Sequence, residues 1–203
     1  MLGIIDYGVG NLFSLRSSLK AIGVESIVTS DPEEILRADR LILPGVGAYS
    51  DAMKKLKDSG TVGPIMEAAA AGTPLMGICL GMQLLLEKSY EYGEHEGLGM
   101  IPGSVRPIAD VIPESFKVPH IGWNGLAFGG QKHDLFRDVE EGEYVYFVHS
   151  FYATDCDEAV IATTDYGAVL TAAVAKGNVL GCQFHPEKSG DVGLRILKRF
   201  CEM

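Results

Sequence analysis

The chain has 203 residues, and its 47% hydrophobic and 22% charged residues are ordinary values for a folded globular protein. That composition excludes an intrinsically disordered chain, which would have too few apolar residues to build a core. The formal net charge is −10, from 17 Lys and Arg against 27 Asp and Glu. We therefore expect no nucleic-acid partner, because binding a phosphate backbone requires a basic face.

Membrane and secretory signals are not visible in the sequence. The longest apolar runs fall short of the roughly 20 residues that a membrane-spanning helix needs, and the first residues read as a strand rather than a leader. The 4 cysteines lack the spacing of a disulfide framework or a zinc site. We expect a cytoplasmic protein with reduced thiols and with no membrane association, cofactor or metal.

The first part of the chain alternates short apolar runs with amphipathic runs. In chain order we predict a strand at 2–5, a helix at 12–22, a strand at 26–29, a short helix starting at 31–34, a strand at 41–43, helices at 49–59 and 62–71, a strand at 75–78 and a helix at 81–88. Such alternation is typical of a parallel sheet whose strands are joined by right-handed helical crossovers.

The rest of the chain is dominated by strand-like runs. They lie at 97–108, 120–126, 144–149, 160–164, 170–174 and 179–184, and a helix is predicted at 192–200. We expect these strands to return to one central sheet. The predicted fold is α/β and flavodoxin-like, with three layers and a doubly wound, mostly parallel central sheet. Because no linker or repeat is visible, we expect a single domain over residues 1–203.

The stretch 77–81, Gly-Ile-Cys-Leu-Gly, joins a predicted strand to a predicted helix. This is the pattern of a nucleophile elbow with Cys79 in place of serine. The sharp turn would hold Cys79 in a strained conformation at the positive end of the helix, which favours thiolate, and the N–H of Leu80 would face an oxyanion. The alternative for this motif alone is a core cysteine beside two helix-packing glycines.

Two further motifs follow predicted strands. His185 could act as a general acid and base, and Glu187, two residues on, would share its face in extended chain and fix its tautomer. The loop after the third strand contains Val46 and Gly47, either of which could give a second oxyanion N–H. Taken singly, these motifs are also compatible with a surface His-Pro turn and a plain strand-to-helix turn. Their order places all three motifs at one crevice of a doubly wound sheet.

With these residues the sequence resembles the class I, or triad, glutamine amidotransferases over nearly its whole length. Residues 77–83 (Gly-Ile-Cys-Leu-Gly-Met-Gln) and 184–187 (Phe-His-Pro-Glu) correspond to the two signatures of that family. The resemblance implies a catalytic triad of Cys79, His185 and Glu187 that hydrolyses L-glutamine through a thioester. It also implies that further residues contact the substrate, namely Gln83, Glu91, His149, Ser150 and Phe151.

Other stretches are similar to one branch of that family, the glutaminase subunits of imidazole glycerol phosphate synthases. They include 6–12, 44–48, 119–124, 148–152 and 186–189. One departure is Phe151, where the branch leads us to expect tyrosine, so a hydroxyl contact there is in doubt. The resemblance implies a (β/α)8-barrel cyclase as partner in a heterodimer of histidine biosynthesis. Its candidate contacts are Asn11, His120, Trp123, Tyr146 and Lys188.

Two other functions stay open at this point. The chain could be the glutaminase subunit of another synthase, such as that for pyridoxal phosphate, anthranilate or guanylate. It could also be a non-catalytic, redox-sensing cysteine domain of flavodoxin-like build. Release of ammonia from glutamine separates the second alternative from the others, since a sensor releases none.

Overall fold

The computed structural model describes residues 1–130 and 132–203. Its first part consists of β1 (Leu2–Ile5), α1 (Leu12–Ala21), β2 (Ser26–Thr29), α2 (Pro32–Arg37), β3 (Arg40–Leu43), α3 (Tyr49–Asp58), α4 (Val62–Ala70), β4 (Leu75–Ile78) and α5 (Leu80–Leu84). Its second part consists of β5 (Leu86–Ser89), β6 (His95–Glu96), β7 (Ile101–Pro107), β8 (His120–Gly125), β9 (Tyr144–His149), β10 (Phe151–Thr154), β11 (Val160–Asp165), β12 (Val169–Lys176), β13 (Val179–Cys182) and α6 (Gly190–Glu202).

A seven-stranded sheet runs through the middle of the molecule in the order β11-β12-β13-β4-β3-β1-β2. The strands from β13 to β2 are parallel, and β11 and β12 are added antiparallel at one edge. Side chains alternate between the two faces: Leu41 and Leu43 of β3 join the core under α2 to α5, whereas Ile42 joins the core under α1 and α6. The predicted three-layer α/β fold with a mostly parallel central sheet is therefore confirmed.

The expectation that the second half returns to one central sheet is wrong. Among the strands described in residues 132–203 and the end of 1–130, only β11, β12 and β13 do so. The strands β10, β7, β5 and β6 form a four-stranded sheet, and β8 pairs with β9 in a two-stranded one. The helix predicted at 81–88 is present as α5, but its predicted length is wrong, because α5 ends at Leu84 and the chain continues as β5. Residues 84–86 are all leucine and all buried, so periodicity does not identify their structure, and the pairing of β5 with β7 decides it.

The topology places three chain segments side by side. Strand β4 lies between β3 and β13, and all three are parallel, so their carboxyl ends meet at one edge of the sheet. The loop after β3, the turn from β4 into α5 and the segment after β13 therefore meet in one crevice, which is where parallel α/β sheets bind ligands. Within residues 1–130 and 132–203, no helix combines the length and apolarity needed to cross a membrane.

Candidate active site

Cys79 occupies a strained backbone turn between β4 and α5. Its φ of 54° and ψ of −113° lie in a region that residues with a side chain seldom adopt, at a cost of about 1–3 kcal/mol. Its backbone N–H donates to the carbonyl of Cys182 on the neighbouring strand at 2.7 Å, which holds the turn against the sheet. The strained elbow expected from the sequence is present.

The two glycines of this motif are required by close backbone approach. A Cβ on Gly81 would lie 1.9 Å from the carbonyl oxygen of Leu43, and one on Gly77 would lie 2.7 Å from backbone atoms of Gly81. Real Cβ atoms do not approach that closely, so a side chain at either position would push α5 away from β3 and β4. The glycines thus let the elbow close, and they seat the start of α5 against the loop that follows β3.

His185 and Glu187 form a buried pair after β13. The Nδ1 of His185 lies 2.8 Å from Oε1 of Glu187, and the two side chains are 2% and 4% exposed. The extended geometry expected for this segment is wrong: Pro186–Lys188 is a 3-10 turn that brings Glu187 back to the ring. Burial alone lowers the pKa of His185, but contacts with Cys79 and Glu187 outweigh it and raise that pKa to about 9. The ring is therefore held in place and biased toward its protonated form.

The residues predicted to supply oxyanion N–H groups lie in two segments beside the crevice. Leu80 is the first residue of α5, where N–H groups have no acceptor inside the helix. Gly45 packs against this end of α5, because a Cβ there would lie 2.5 Å from the N of Gly81. Val46 and Gly47 continue that loop along the cavity wall, and Gly47 has a φ of 92° that favours glycine. The structure thus brings Leu80, Val46 and Gly47 together beside Cys79.

These elements enclose a cavity of about 460 Å³, a size typical of small-molecule sites. Its predicted lining residues are Val46, Gly47, Cys79, Leu80, Gln83, Glu91, His149, Ser150, Phe151, His185 and Lys188. Sequence reasoning missed three further lining residues, Tyr92, Pro119 and Val148. They lie next to predicted site residues in the chain, but their type gave no chemical signal.

The side chains of Gln83 and Glu91 each form hydrogen bonds with other residues of the protein. The Nε2 of Gln83 donates to the carbonyl of Phe151 at 3.0 Å and to Oε1 of Gln183 at 2.9 Å. The Oε2 of Glu91 accepts the N–H of Tyr49 at the start of α3, at 2.9 Å. Burial raises the pKa of Glu91 despite that hydrogen bond. Gln183 is fully buried and also reaches Cys79, a contact that the sequence did not suggest.

His149 is a buried residue of the segment 149–151, which forms one wall of the cavity. Its Nδ1–H donates to the carbonyl of Phe151 at 2.8 Å, so its Nε2 accepts from Nδ1 of His120 at 2.9 Å. The Nε2 of His120 lies 2.8 Å from Oδ1 of Asn124. Burial lowers the pKa of both rings, and that of His149 falls to about 4, so His149 is neutral near pH 7. The pair fixes the backbone of the cavity wall.

The residues predicted to contact a partner divide into three groups. Trp123 and Tyr146 face each other across β8 and β9 with ring centroids 5.9 Å apart, and Nζ of Lys188 lies 5.9 Å from the Tyr146 ring, so these three form one cluster beside the cavity. Asn11 caps α1, its Oδ1 accepting the N–H of Ser14 at 3.3 Å. The prediction for His120 is wrong, because its side chain is 0% exposed and is held by His149 and Asn124.

Metal binding has no structural basis in the described part of the chain. No group of three or more His, Cys, Asp or Glu residues there has the geometry to hold a metal ion. What the cavity does contain is a cysteine at a strained turn, an imidazole paired with a carboxylate, and the lining residues Leu80, Val46 and Gly47, whose backbone N–H groups are candidate oxyanion donors. This arrangement can perform nucleophilic acyl transfer, in which a thiolate attacks a carbonyl and N–H groups stabilise the oxyanion.

Comparison with known proteins gives matches along the whole chain. The profile of the family described as glutamine amidotransferase class-I matches residues 3–203. The chain is 50% identical over 200 residues to the imidazole glycerol phosphate synthase subunit HisH of Bacillus cereus, which covers 98% of this chain and 93% of that protein. It is 48% identical over 205 residues to the HisH subunit of Wolinella succinogenes, covering 100% of both.

Solved structures share the fold. A glutamine amidotransferase superimposes with a TM-score of 0.76 at 22% identity, over 99% of this chain and 97% of that one. PurLQS from Thermotoga maritima gives a TM-score of 0.74 at 20% identity over the same shares of the two chains. With the full-length matches above, the chain belongs to the class I glutamine amidotransferases and, within them, to the family of HisH subunits of imidazole glycerol phosphate synthase.

Proposed function

We propose that this chain is the glutaminase subunit of imidazole glycerol phosphate synthase, which hydrolyses L-glutamine and delivers the ammonia to a cyclase subunit. The observation that carries the proposal is the strained Cys79 sharing one cavity with the buried His185–Glu187 pair. The full-length similarity to two HisH subunits supports the choice of this synthase over the pyridoxal phosphate, anthranilate and guanylate synthases. We place the reaction in the cytoplasm, where the thiols stay reduced.

The chemistry uses groups on both walls of the cavity. The Cys79 thiolate attacks the side-chain carbonyl carbon of glutamine, and the N–H groups of Leu80 and of Val46 or Gly47 stabilise the oxyanion. His185, held by Glu187, gives its proton to the amide nitrogen, the C–N bond breaks and ammonia leaves. His185 then takes a proton from water, whose oxygen attacks the thioester and releases glutamate and the thiolate.

Substrate binding is assigned to the far end of the cavity. Gln83 and the 149–151 segment line it, with the segment held by the Phe151 carbonyl contacts. Glu91 lies at the same wall and supplies an acidic side chain for the amino group of glutamine. Phe151 has no hydroxyl, so at this position only its backbone can bind the substrate through hydrogen bonds.

The partner proposed for this subunit is a (β/α)8-barrel cyclase. The cluster of Trp123, Tyr146 and Lys188 lies next to the cavity, Trp123 is 51% exposed, and Trp and Tyr side chains are common anchors of protein interfaces. Asn11, at the start of α1, is assigned to the rim of the same contact. Docking there would set the cyclase against the cavity from which ammonia leaves.

The decisive experiment measures ammonia from L-glutamine with the isolated chain, with the cyclase added, and with the cyclase plus its nucleotide acceptor. We expect a slow basal rate that rises by about 10² to 10³, because the peptide between Val46 and Gly47 ends in a glycine, follows Gly45, and can turn one oxyanion N–H toward or away from the site. Asparagine is the control substrate. Equal rates with and without the loaded cyclase would contradict the gate, and absence of ammonia in all three would contradict the function.

A further inference from the structure

Gln183 is a buried side chain that reaches the sulfur of Cys79 from behind the cavity. Its side chain is 0% exposed, and its Nε2 lies 3.7 Å from Sγ of Cys79. The described lining of the cavity does not include Gln183, so it touches the sulfur without facing the space for the substrate. A buried amide needs hydrogen-bond partners, so the neighbours of its oxygen and of its nitrogen show how the amide is oriented.

The orientation of the Gln183 amide is fixed by a chain of contacts that ends at a backbone carbonyl. The carbonyl of Phe151 can only accept, so the Nε2 of Gln83 must face it, at 3.0 Å. The second proton on that Nε2 points to Oε1 of Gln183 at 2.9 Å. With its oxygen engaged, Gln183 presents its N–H to Cys79; the flipped amide would place two NH₂ groups face to face.

A hydrogen bond to the Cys79 sulfur in this position changes the stability of the thiolate relative to the thiol. The thiolate gains more from an N–H donor than the thiol does, and a buried site strengthens the interaction because water does not screen it. The donor directly follows β13 and lies two residues before His185, so this one segment supplies two groups that face the sulfur. The carbonyl of Val148, 3.9 Å from Sγ of Cys79, is a third.

We propose that Gln183 is a further catalytic residue, which donates a hydrogen bond to Cys79 Sγ and stabilises its thiolate, and that Gln83 is a positioning residue that aims this donor. The thiolate is the attacking group in the first step and the leaving group when water cleaves the thioester, so the contact serves both. This proposal rests on the proposed function for its role in turnover, but its effect on Cys79 is independent of any glutamine hydrolysis.

The test is the pH dependence of Cys79 alkylation by iodoacetamide in two variants of the full chain, with mass mapping of the labelled peptide. Gln183→Met keeps the size and removes the donor. Gln183→Glu keeps the acceptor for Gln83 and places a carboxylate oxygen against the sulfur. We expect the pH of half-maximal alkylation to rise by about one to two pH units in the Met variant and further in the Glu variant, since a hydrogen bond to a charged group is being lost.

Cys182→Ala is the matched control, because it alters the adjacent buried residue without touching the Cys79 sulfur, and its alkylation midpoint should not move. In the complex with the cyclase, both Gln183 variants should lower kcat and leave KM for glutamine nearly unchanged. An unaltered alkylation midpoint in a folded Gln183 variant would overturn the proposal, even if turnover falls. If the Met variant does not fold, as judged by circular dichroism, the near-isosteric Glu variant decides.

Discussion

Cys79 and Cys182 end two neighbouring parallel strands, yet their surroundings differ completely. In the register of β4 and β13, Cys182 lies opposite Ile78, one residue before Cys79, and the backbones of the two cysteines are hydrogen-bonded. Cys79 lines the cavity beside His185. Cys182 is 0% exposed, with its sulfur 3.9 Å from the carbonyl oxygen of Gly77.

The difference arises from the backbone rather than from residue type or depth in the sheet. At Cys79 the strand turns sharply through a positive φ, which lifts the side chain out of the sheet and into the cavity. At Cys182 the chain is still part of the ladder, so the side chain packs into the core, where burial raises its pKa well above the ordinary thiol value. Being near His185 in sequence therefore does not place a cysteine in the cavity, and the backbone turn does.

The sharpest way to break this comparison is to remove each sulfur in turn. We expect Cys79→Ala to lower ammonia release from glutamine by about 10⁴-fold or more, since loss of a covalent nucleophile leaves only binding and oxyanion stabilisation. Cys182→Ala should retain turnover close to that of the unsubstituted chain. Both are measured in the complex with saturating cyclase and glutamine. A large loss in the Cys182 variant, with the fold intact, would contradict the assignment.

A second experiment asks how much of the reactivity of Cys79 depends on its neighbours. His185→Asn should reduce turnover by about 10² to 10⁴, because both thiol activation and departure of ammonia need its proton. Glu187→Gln should cost less, since the amide can still orient the ring without stabilising its positive charge. Steady-state ammonia release at saturating glutamine gives both values. Full activity in the His185 variant would remove that residue from the mechanism.

The smallest effect concerns stability at alkaline pH. Because folding raises the pKa of Cys182, the folded chain keeps its proton while the unfolded chain loses it, so stability falls as pH rises past the ordinary thiol value of 9.0. The compared quantity is the loss of free energy of unfolding between about pH 8 and pH 10. We expect that loss to be about 1 kcal/mol smaller in Cys182→Ala than in the unsubstituted chain. Urea unfolding under reducing conditions measures this. The other cysteines contribute equally to both chains, and identical pH slopes would refute the expectation.

Much of the first part of the fold was predictable because its signals are local. The cap of α2 is an example: Asp31 and Pro32 predict a helix start, and Oδ1 of Asp31 accepts the N–H of Glu33 at 2.8 Å. The elbow was predictable for a similar reason, since the cysteine and its two flanking glycines lie within five residues of sequence. The Leu43 carbonyl that excludes a side chain at Gly81 lies in a different part of the chain and was not predicted. That residues 1–203 form a single domain stays a prediction.

Other features depend on contacts between distant residues. Strand β10 was not predicted because it exists through pairing with β7, some 50 residues earlier in the chain. The predicted surface role of His120 was wrong because His149, 29 residues away, pairs with it in the core. Gln183 gave no signal because its part in the site comes from contacts with Gln83 and Cys79, each about 100 residues away.

The sequence by itself determined the α/β class and the family, and it predicted the nucleophile and its acid–base pair, because each of these rests on short motifs that are recognisable within a few residues. Only the tertiary structure decided which strands leave the central sheet and how Glu187 reaches the His185 ring through a 3-10 turn. It also decided that the buried amide of Gln183, directly after β13, faces the sulfur of Cys79. Those outcomes depend on which distant backbone carbonyls and side chains become neighbours, and hydrogen-bond direction is set by such neighbours rather than by residue order.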